Sequence, residues 1–210
     1  MTLNVPEYIK TIEPYKPGKP LEELEREYGI HRSIKLASNE NPLGPSPKAV
    51  AAVQAMLDNL HRYPDGSGHD LLAKLADYHG LAKETIILGN GSDEIIGMLT
   101  QCLLEPVNEV LLPQPSFLMY EIAVRSVGAV PVFIPLDGNL SIDLEQMLQR
   151  VTPQTRMVFL CNPNNPTGTV FSKDQFDAFL DNLPLDVIVV IDEAYIEFVR
   201  NPDCGKGIDY

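Results

Sequence analysis

Two short apolar runs in the C-terminal third of the chain, each leading into a cluster of polar residues, constrain the fold more than any other feature. Arg156-Met-Val-Phe-Leu-Cys161 runs into Asn162-Pro-Asn-Asn-Pro-Thr-Gly168, and Val187-Ile-Val-Val-Ile191 runs into Asp192-Glu-Ala-Tyr195. A strand with one wet face alternates apolar and polar residues; an unbroken apolar run reads as a strand covered on both faces. The same pattern predicts strands at Thr85–Gly89, Glu109–Leu112, Val130–Pro135, Arg156–Cys161 and Val187–Ile191. Helices are predicted between them, near 93–104, 117–127, 142–151 and 173–182, the last with a capping-box signature in Ser172 and Gln175. Strands alternating with helices imply an α/β fold of three layers, a mostly parallel sheet with helices on both faces. Both polar clusters then lie at the carboxyl edge of the sheet, where such proteins bind small ligands.

The first part of the chain reads differently. Residues 1–46 form an N-terminal arm, because prolines at 6, 14, 17, 20, 42, 45 and 47 disfavour regular structure and leave room only for a short helix over Leu21–Tyr28. Ala49, Val50, Val53, Met56, Leu57 and Leu60 then recur at helical spacing after a Ser46-Pro47 start that suits an N-cap and first helical position. A loop with Tyr63-Pro-Asp-Gly-Ser-Gly68 follows, and a second helix through Leu71, Leu72, Leu75 and Tyr78.

Charge and composition exclude several classes. A formal net charge of −13 argues against a nucleic-acid partner, although backbone amides of an acidic protein can still bind a phosphate. Cys102, Cys161 and Cys204 are far apart, and two sit in apolar runs, which points to buried thiols in a reducing compartment. The start, Met1 to Glu7, shows no basic segment followed by an apolar one, and no apolar run approaches the length of a membrane span. The expectation is a soluble, cytoplasmic protein with neither a membrane nor a nucleic-acid partner. His31, His61, His69 and His79 share no ligand spacing, so no metal site is expected.

Candidate site residues gather at the strand ends. In Gly89-Asn-Gly-Ser-Asp-Glu94 the glycines permit a tight turn, and the amides of Ser92 and Asp93 at a helix start suit a phosphate if the carboxylates of Asp93 and Glu94 point aside. A simple capped helix start explains the same residues. Asn165, before Pro166-Thr-Gly168, is either a ligand contact or an Asx-turn. Asp192 follows five apolar residues, so its carboxylate is poorly solvated and needs a cationic or hydrogen-bonding partner. An apolar strand ending in Asp-Glu also resembles the Walker B segment of a P-loop nucleoside triphosphatase, but G-x-x-x-x-G-K-[ST] does not occur in the chain. Phe117 and Tyr63 are either ligand contacts or, respectively, a core phenylalanine and a loop tyrosine.

These segments, in this order, resemble the cofactor floor of fold-type-I pyridoxal-phosphate (PLP) aminotransferases. Tyr15-Lys-Pro-Gly-Lys-Pro20, Leu36-Ala-Ser-Asn-Glu-Asn-Pro42 and Gly44-Pro-Ser-Pro47 are similar to the histidinol-phosphate aminotransferase group within them, and Arg62-Tyr-Pro-Asp65, Gly89–Glu94, Asn162–Gly168 and Asp192–Tyr195 extend the match along nearly the whole chain. The resemblance implies PLP as cofactor, with Asp192 pairing with the ring nitrogen and Asn165 and Tyr195 on the phenolic oxygen. It also implies Ser92 and Asp93 on the phosphate, Phe117 stacked on the ring, and Tyr63 reaching the phosphate in a neighbouring subunit, hence a homodimer with shared sites. Tyr15 and Asn41 are its substrate-pocket candidates.

By the same resemblance, residues 1–46 are the arm and part of the small domain, and 47–210 are the N-terminal part of the PLP-binding large domain. The lysine that such enzymes use to carry PLP as a Schiff base has no match here; Lys206 is expected in a surface loop, Cys204-Gly-Lys-Gly207. The expectation is amino transfer between L-histidinol phosphate and 2-oxoglutarate in histidine biosynthesis, with these residues alone inactive. A threonine-phosphate decarboxylase, another fold-type-I aminotransferase, and a non-catalytic assembly module are the alternatives.

Overall fold

The computed structural model describes residues 4–15, 17–31 and 33–210. Met1 to Leu3 of the start, and Lys16 of the Tyr15–Pro20 segment, lie outside the described residues. Among the described residues four strands, β1 (Glu109–Gln114), β2 (Val130–Pro135), β3 (Thr155–Cys161) and β4 (Ile188–Asp192), form one all-parallel sheet in the order β2-β1-β3-β4. The helices are α1 (Glu7–Lys10), α2 (Leu21–Tyr28), α3 (Pro47–Met56), α4 (His69–His79), α5 (Gly91–Leu103), α6 (Leu118–Ser126), α7 (Leu144–Gln149) and α8 (Lys173–Asn182).

Alternation along the strands builds a core on each face. Leu111, Ile134, Val158 and Leu160 pack on one side with Met147 of α7 and Phe176 and Phe179 of α8. Val110, Leu112, Met157, Phe159 and Cys161 pack on the other with Ile96 of α5 and Tyr120 and Val124 of α6. The three-layer α/β architecture is therefore as expected from the unbroken apolar runs. Capping holds α8 in register: Ser172 accepts from the Gln175 amide, and the Gln175 side chain accepts from the Ser172 amide at 2.8 Å.

One predicted strand does not form. Thr85–Gly89 is a 3-10 turn over Lys83–Thr85 followed by extended residues that join no ladder, and Ile87 is 75% exposed. Both edges of β1 are taken by β2 and β3, so a fifth strand has to use an outer edge of the sheet; Thr-Ile-Ile-Leu has the β propensity but not the partner. Cys102 also departs from expectation. Cys161 and Cys204 are buried but Cys102 is exposed, because its apolar run belongs to the amphipathic α5, which turns Ile96 and Thr100 inward instead.

The chain divides into two compact units, Met1–Tyr15 with Gly89–Tyr210, and Lys16–Leu88. The second holds α2, α3 and α4. Helices α2 and α4 end on Gly29 (φ 64) and Gly80 (φ 67), left-handed positions where a side chain would be strained. Among its described residues Ala76 alone is buried, and Val53, Leu57 and Leu60 stay exposed, so this unit encloses little apolar surface of its own.

The α8 cap yields a stability prediction. Ser172→Ala leaves the Gln175 amide without its side-chain acceptor and is expected to cost about 1 kcal/mol. Urea unfolding should show a lower midpoint at unchanged slope.

Candidate active site

The carboxyl ends of β1, β3 and β4 lie side by side, and two buried asparagines stitch their loops together. The ladder continues one residue past β3, where the Asn162 amide donates to the Asp192 carbonyl at 2.9 Å. The Asn162 side chain is fully buried; it donates to the Gly205 carbonyl at 2.7 Å and accepts from the Phe171 amide at 3.1 Å. Asn164 accepts from the Ser116 hydroxyl at 2.9 Å and donates to the Pro115 carbonyl at 3.2 Å and the Thr167 hydroxyl at 2.9 Å. Its own backbone closes the loop, the amide donating to the Thr169 carbonyl and the carbonyl accepting from Gly168. Asn164 thus fastens the β1–α6 loop, which carries Phe117, to the loop that carries Asn165.

Asp192 ends β4 half-buried, and its expected hydrogen-bonding partner is Tyr120. The Tyr120 phenol donates to Asp192 Oδ2 at 2.7 Å, while the Ala194 amide donates to Oδ1 at 3.0 Å. Tyr120 is 1% exposed, stacked on Phe159 at 4.7 Å and met edge-on by Phe117 at 5.5 Å. Burial, with the neighbouring Cys161 and Asp192, pushes the Tyr120 phenol far above its ordinary range. Burial likewise raises the Cys161 thiol. Both groups keep their protons, so the carboxylate meets neutral donors from the protein side.

The remaining expected residues are placed as follows. Ser92 and Asp93 are exposed in the first turn of α5, which has no side-chain cap. Glu94 does turn aside, its carboxylate accepting from the Asn90 amide, and Gly91 (φ 74) makes the tight turn. Asn165 and Tyr195 are half-buried on the loops after β3 and β4. Phe117 is the N-cap of α6, packed on Tyr120. Tyr15 is exposed on the arm. In the other compact unit Tyr63 is fully exposed, and Asn41 makes an Asx-turn, accepting from the Leu43 amide at 3.0 Å. A cleft is lined by Pro113, Pro115, Phe117, Leu118, Tyr120 and Phe133; none of Ser92, Asn165, Asp192 or Tyr195 lines it.

Sequence reasoning missed Tyr120, Asn162 and Asn164. Tyr120 was findable, because it stands three residues after Phe117 and four before Val124, on the stripe of α6 that faces the sheet. The two asparagines carry no such signal, since turn-forming and bridging asparagines look alike in sequence.

Two substitutions test these placements. Asn164→Ala removes the acceptor of the half-buried Ser116 hydroxyl and the donor to the Pro115 carbonyl and the Thr167 hydroxyl, and is expected to destabilise the chain by about 1–3 kcal/mol in urea unfolding. Glu193 accepts from the Gly207 amide at 2.7 Å, and burial raises its carboxyl above the ordinary 4.5 despite that bond. A raised folded-state pKa contributes stability that is fully present below the unfolded value and lost as pH rises through the folded one. Glu193→Gln keeps the acceptor and removes the charge, so it should match the parent near pH 4 and exceed it near pH 8 in urea midpoint.

The histidinol-phosphate aminotransferase of Desulfotalea psychrophila is 48% identical over the whole of this chain and 54% of its own length. That of Moorella thermoacetica is 47% identical over 97% of this chain and 53% of its own. The crystal structure of histidinol-phosphate aminotransferase from Sinorhizobium meliloti in complex with pyridoxal-5'-phosphate superposes with a TM-score of 0.87 at 27% identity, covering all of this chain and 55% of that one. The chain therefore spans about half the length of the curated relatives it matches. Residues 32–207 match the family described as aminotransferase class I and II, and the chain belongs to that family.

Proposed function

We propose that these residues form the cofactor floor of a PLP-dependent enzyme that transfers the amino group between L-histidinol phosphate and 2-oxoglutarate in histidine biosynthesis. The observation that carries the proposal is Asp192, a half-buried carboxylate at the end of β4 with neutral donors behind it. A carboxylate so placed suits a cationic ring nitrogen, and α5 offers the amides of Ser92 and Asp93 to a phosphate with Glu94 drawn away. These features fit PLP, which when bound supplies an electron-withdrawing ring.

The chain's own residues then have separate tasks. Asp192 keeps a proton on the ring nitrogen, and Asn165 and Tyr195 hydrogen-bond the phenolic oxygen. Phe117 covers one ring face, and Ser92 and Asp93 hold the phosphate. Tyr63 serves the site of a second subunit in a cytoplasmic homodimer, and Tyr15 and Asn41 line the substrate pocket. In this reading residues 1–46 are the arm and part of the small domain, and 47–210 belong to the large domain. The substrate assignment rests on relatives at 48% and 47% identity that bear this activity in their names.

The test joins residues 1–210 to the C-terminal remainder of the Desulfotalea psychrophila relative, loads the protein with PLP and adds L-histidinol phosphate without a keto acid. Loss of the bound cofactor's visible absorbance, restored by 2-oxoglutarate, is expected. Asp192→Ala should slow that change on the order of 100-fold. An absorbance that ignores L-histidinol phosphate sinks the substrate assignment, release of CO₂ from L-threonine O-phosphate offered in its place would replace transfer by decarboxylation, and a full rate in Asp192→Ala removes that residue from the chemistry.

A further inference from the structure

We propose that Tyr120 is a positioning residue for the cofactor's ring nitrogen, acting through Asp192. The inference rests on the reading above, in which Asp192 pairs with that nitrogen. A carboxylate at the end of a strand can rotate about its last bond, and a single contact to its own following backbone does little to stop it. Here each oxygen is held: Oδ1 by the Ala194 amide, two residues on, and Oδ2 by Tyr120, which comes from a different element seventy-two residues away in sequence. An ionised carboxylate has about four acceptor positions, so two donors orient it and leave lone pairs for a ligand.

Tyr120 is itself immobile, with Phe159 stacked at an interplanar angle of 14° and Phe117 packed at 84°. A phenylalanine would fill the same space. The buried hydroxyl is therefore the informative atom, since burying it is unfavourable unless it is bonded, and its bond is to Asp192.

The neutrality of this donor matters as much as its position. A lysine or arginine at the same distance would orient Asp192 too, but would also cancel the charge that a cationic ring nitrogen needs. The phenol remains protonated. Cys161, the register partner of Asp192 on β3, contributes a second neutral group. Asp192 is thus fixed in direction while its charge is left for the ligand. A preset carboxylate spares the ordering that a free one undergoes on binding, and the gain is confined to the atom it addresses.

That confinement supplies the test. The 210-residue chain is titrated with PLP and with its carba analogue, in which a C–H replaces the ring nitrogen, and the ratio of the two dissociation constants is compared among variants. The parent is expected to prefer PLP on the order of tenfold, a charge-assisted hydrogen bond being worth about that much. Tyr120→Phe keeps both ring contacts and should reduce the preference to about threefold or less. Phe159→Leu, which loosens the packing of the Tyr120 ring while leaving the hydroxyl, should weaken both ligands more evenly. In an Asp192→Ala background Tyr120→Phe should change nothing further. If Tyr120→Phe weakens PLP and the analogue equally, its role is structural and the inference fails. If the parent itself shows no preference, or binds neither, the pairing of Asp192 with a ring nitrogen fails first, and the inference with it.

Discussion

The burial of β3 on both faces and both edges is the constraint from which the rest of this structure follows. Met157 through Cys161 are at most 2% exposed, and the strand pairs with β1 on one side and β4 on the other. From Met157 to Cys161 each residue pairs with β4 and each side chain is buried in one of the two cores, so this part of the strand tolerates neither a polar residue nor a slip in register. Moving β3 by one residue would exchange the two cores, sending Phe159 toward α8 and Leu160 toward Tyr120. The register also places Cys161 opposite Asp192, which decides where the β4 carboxylate emerges.

The site is what remains when the ladders stop. Beyond Cys161 and Asp192 the backbone turns away from the sheet, and its polar groups need other partners. Asn162 and Asn164 supply them from full burial, one tying the β3 end to Phe171 and Gly205, the other joining the β1 and β3 loops. Tyr120 does the same for a side chain, meeting a carboxylate that the strand has carried into a poorly solvated place. A buried polar group is unfavourable unless satisfied, so each of these bonds also removes an alternative conformation. Rigidity at the sheet edge is therefore a consequence of burial rather than an addition to it.

The unit of α2, α3 and α4 follows a different logic. Its helices form where helical spacing predicts them, yet the apolar stripe of α3 stays exposed. Local pattern suffices to make a helix amphipathic, but it does not name what the apolar face will meet. The same gap between preference and partner explains Thr85–Gly89, whose residues favour a strand that no neighbouring edge completes. Asp192 lies between these cases. Its need for a partner was legible because a carboxylate after five apolar residues cannot stay unsatisfied, but Tyr120 stands far from it in sequence and is joined to it only by folding.

By itself the sequence determined the layer architecture, the four parallel strands, the α8 cap and the edge at which polar residues collect. Each of these depends on periodicity or on groups within a few residues of one another, and such information is local. The tertiary structure alone decided that Thr85–Gly89 would not be a strand, which face of α5 would carry Cys102, and how Asn164, Phe117, Tyr120 and Asp192 come to share hydrogen bonds and ring contacts. Those outcomes depend on which edges are vacant and which residues from distant segments arrive at the same place, and packing settles both.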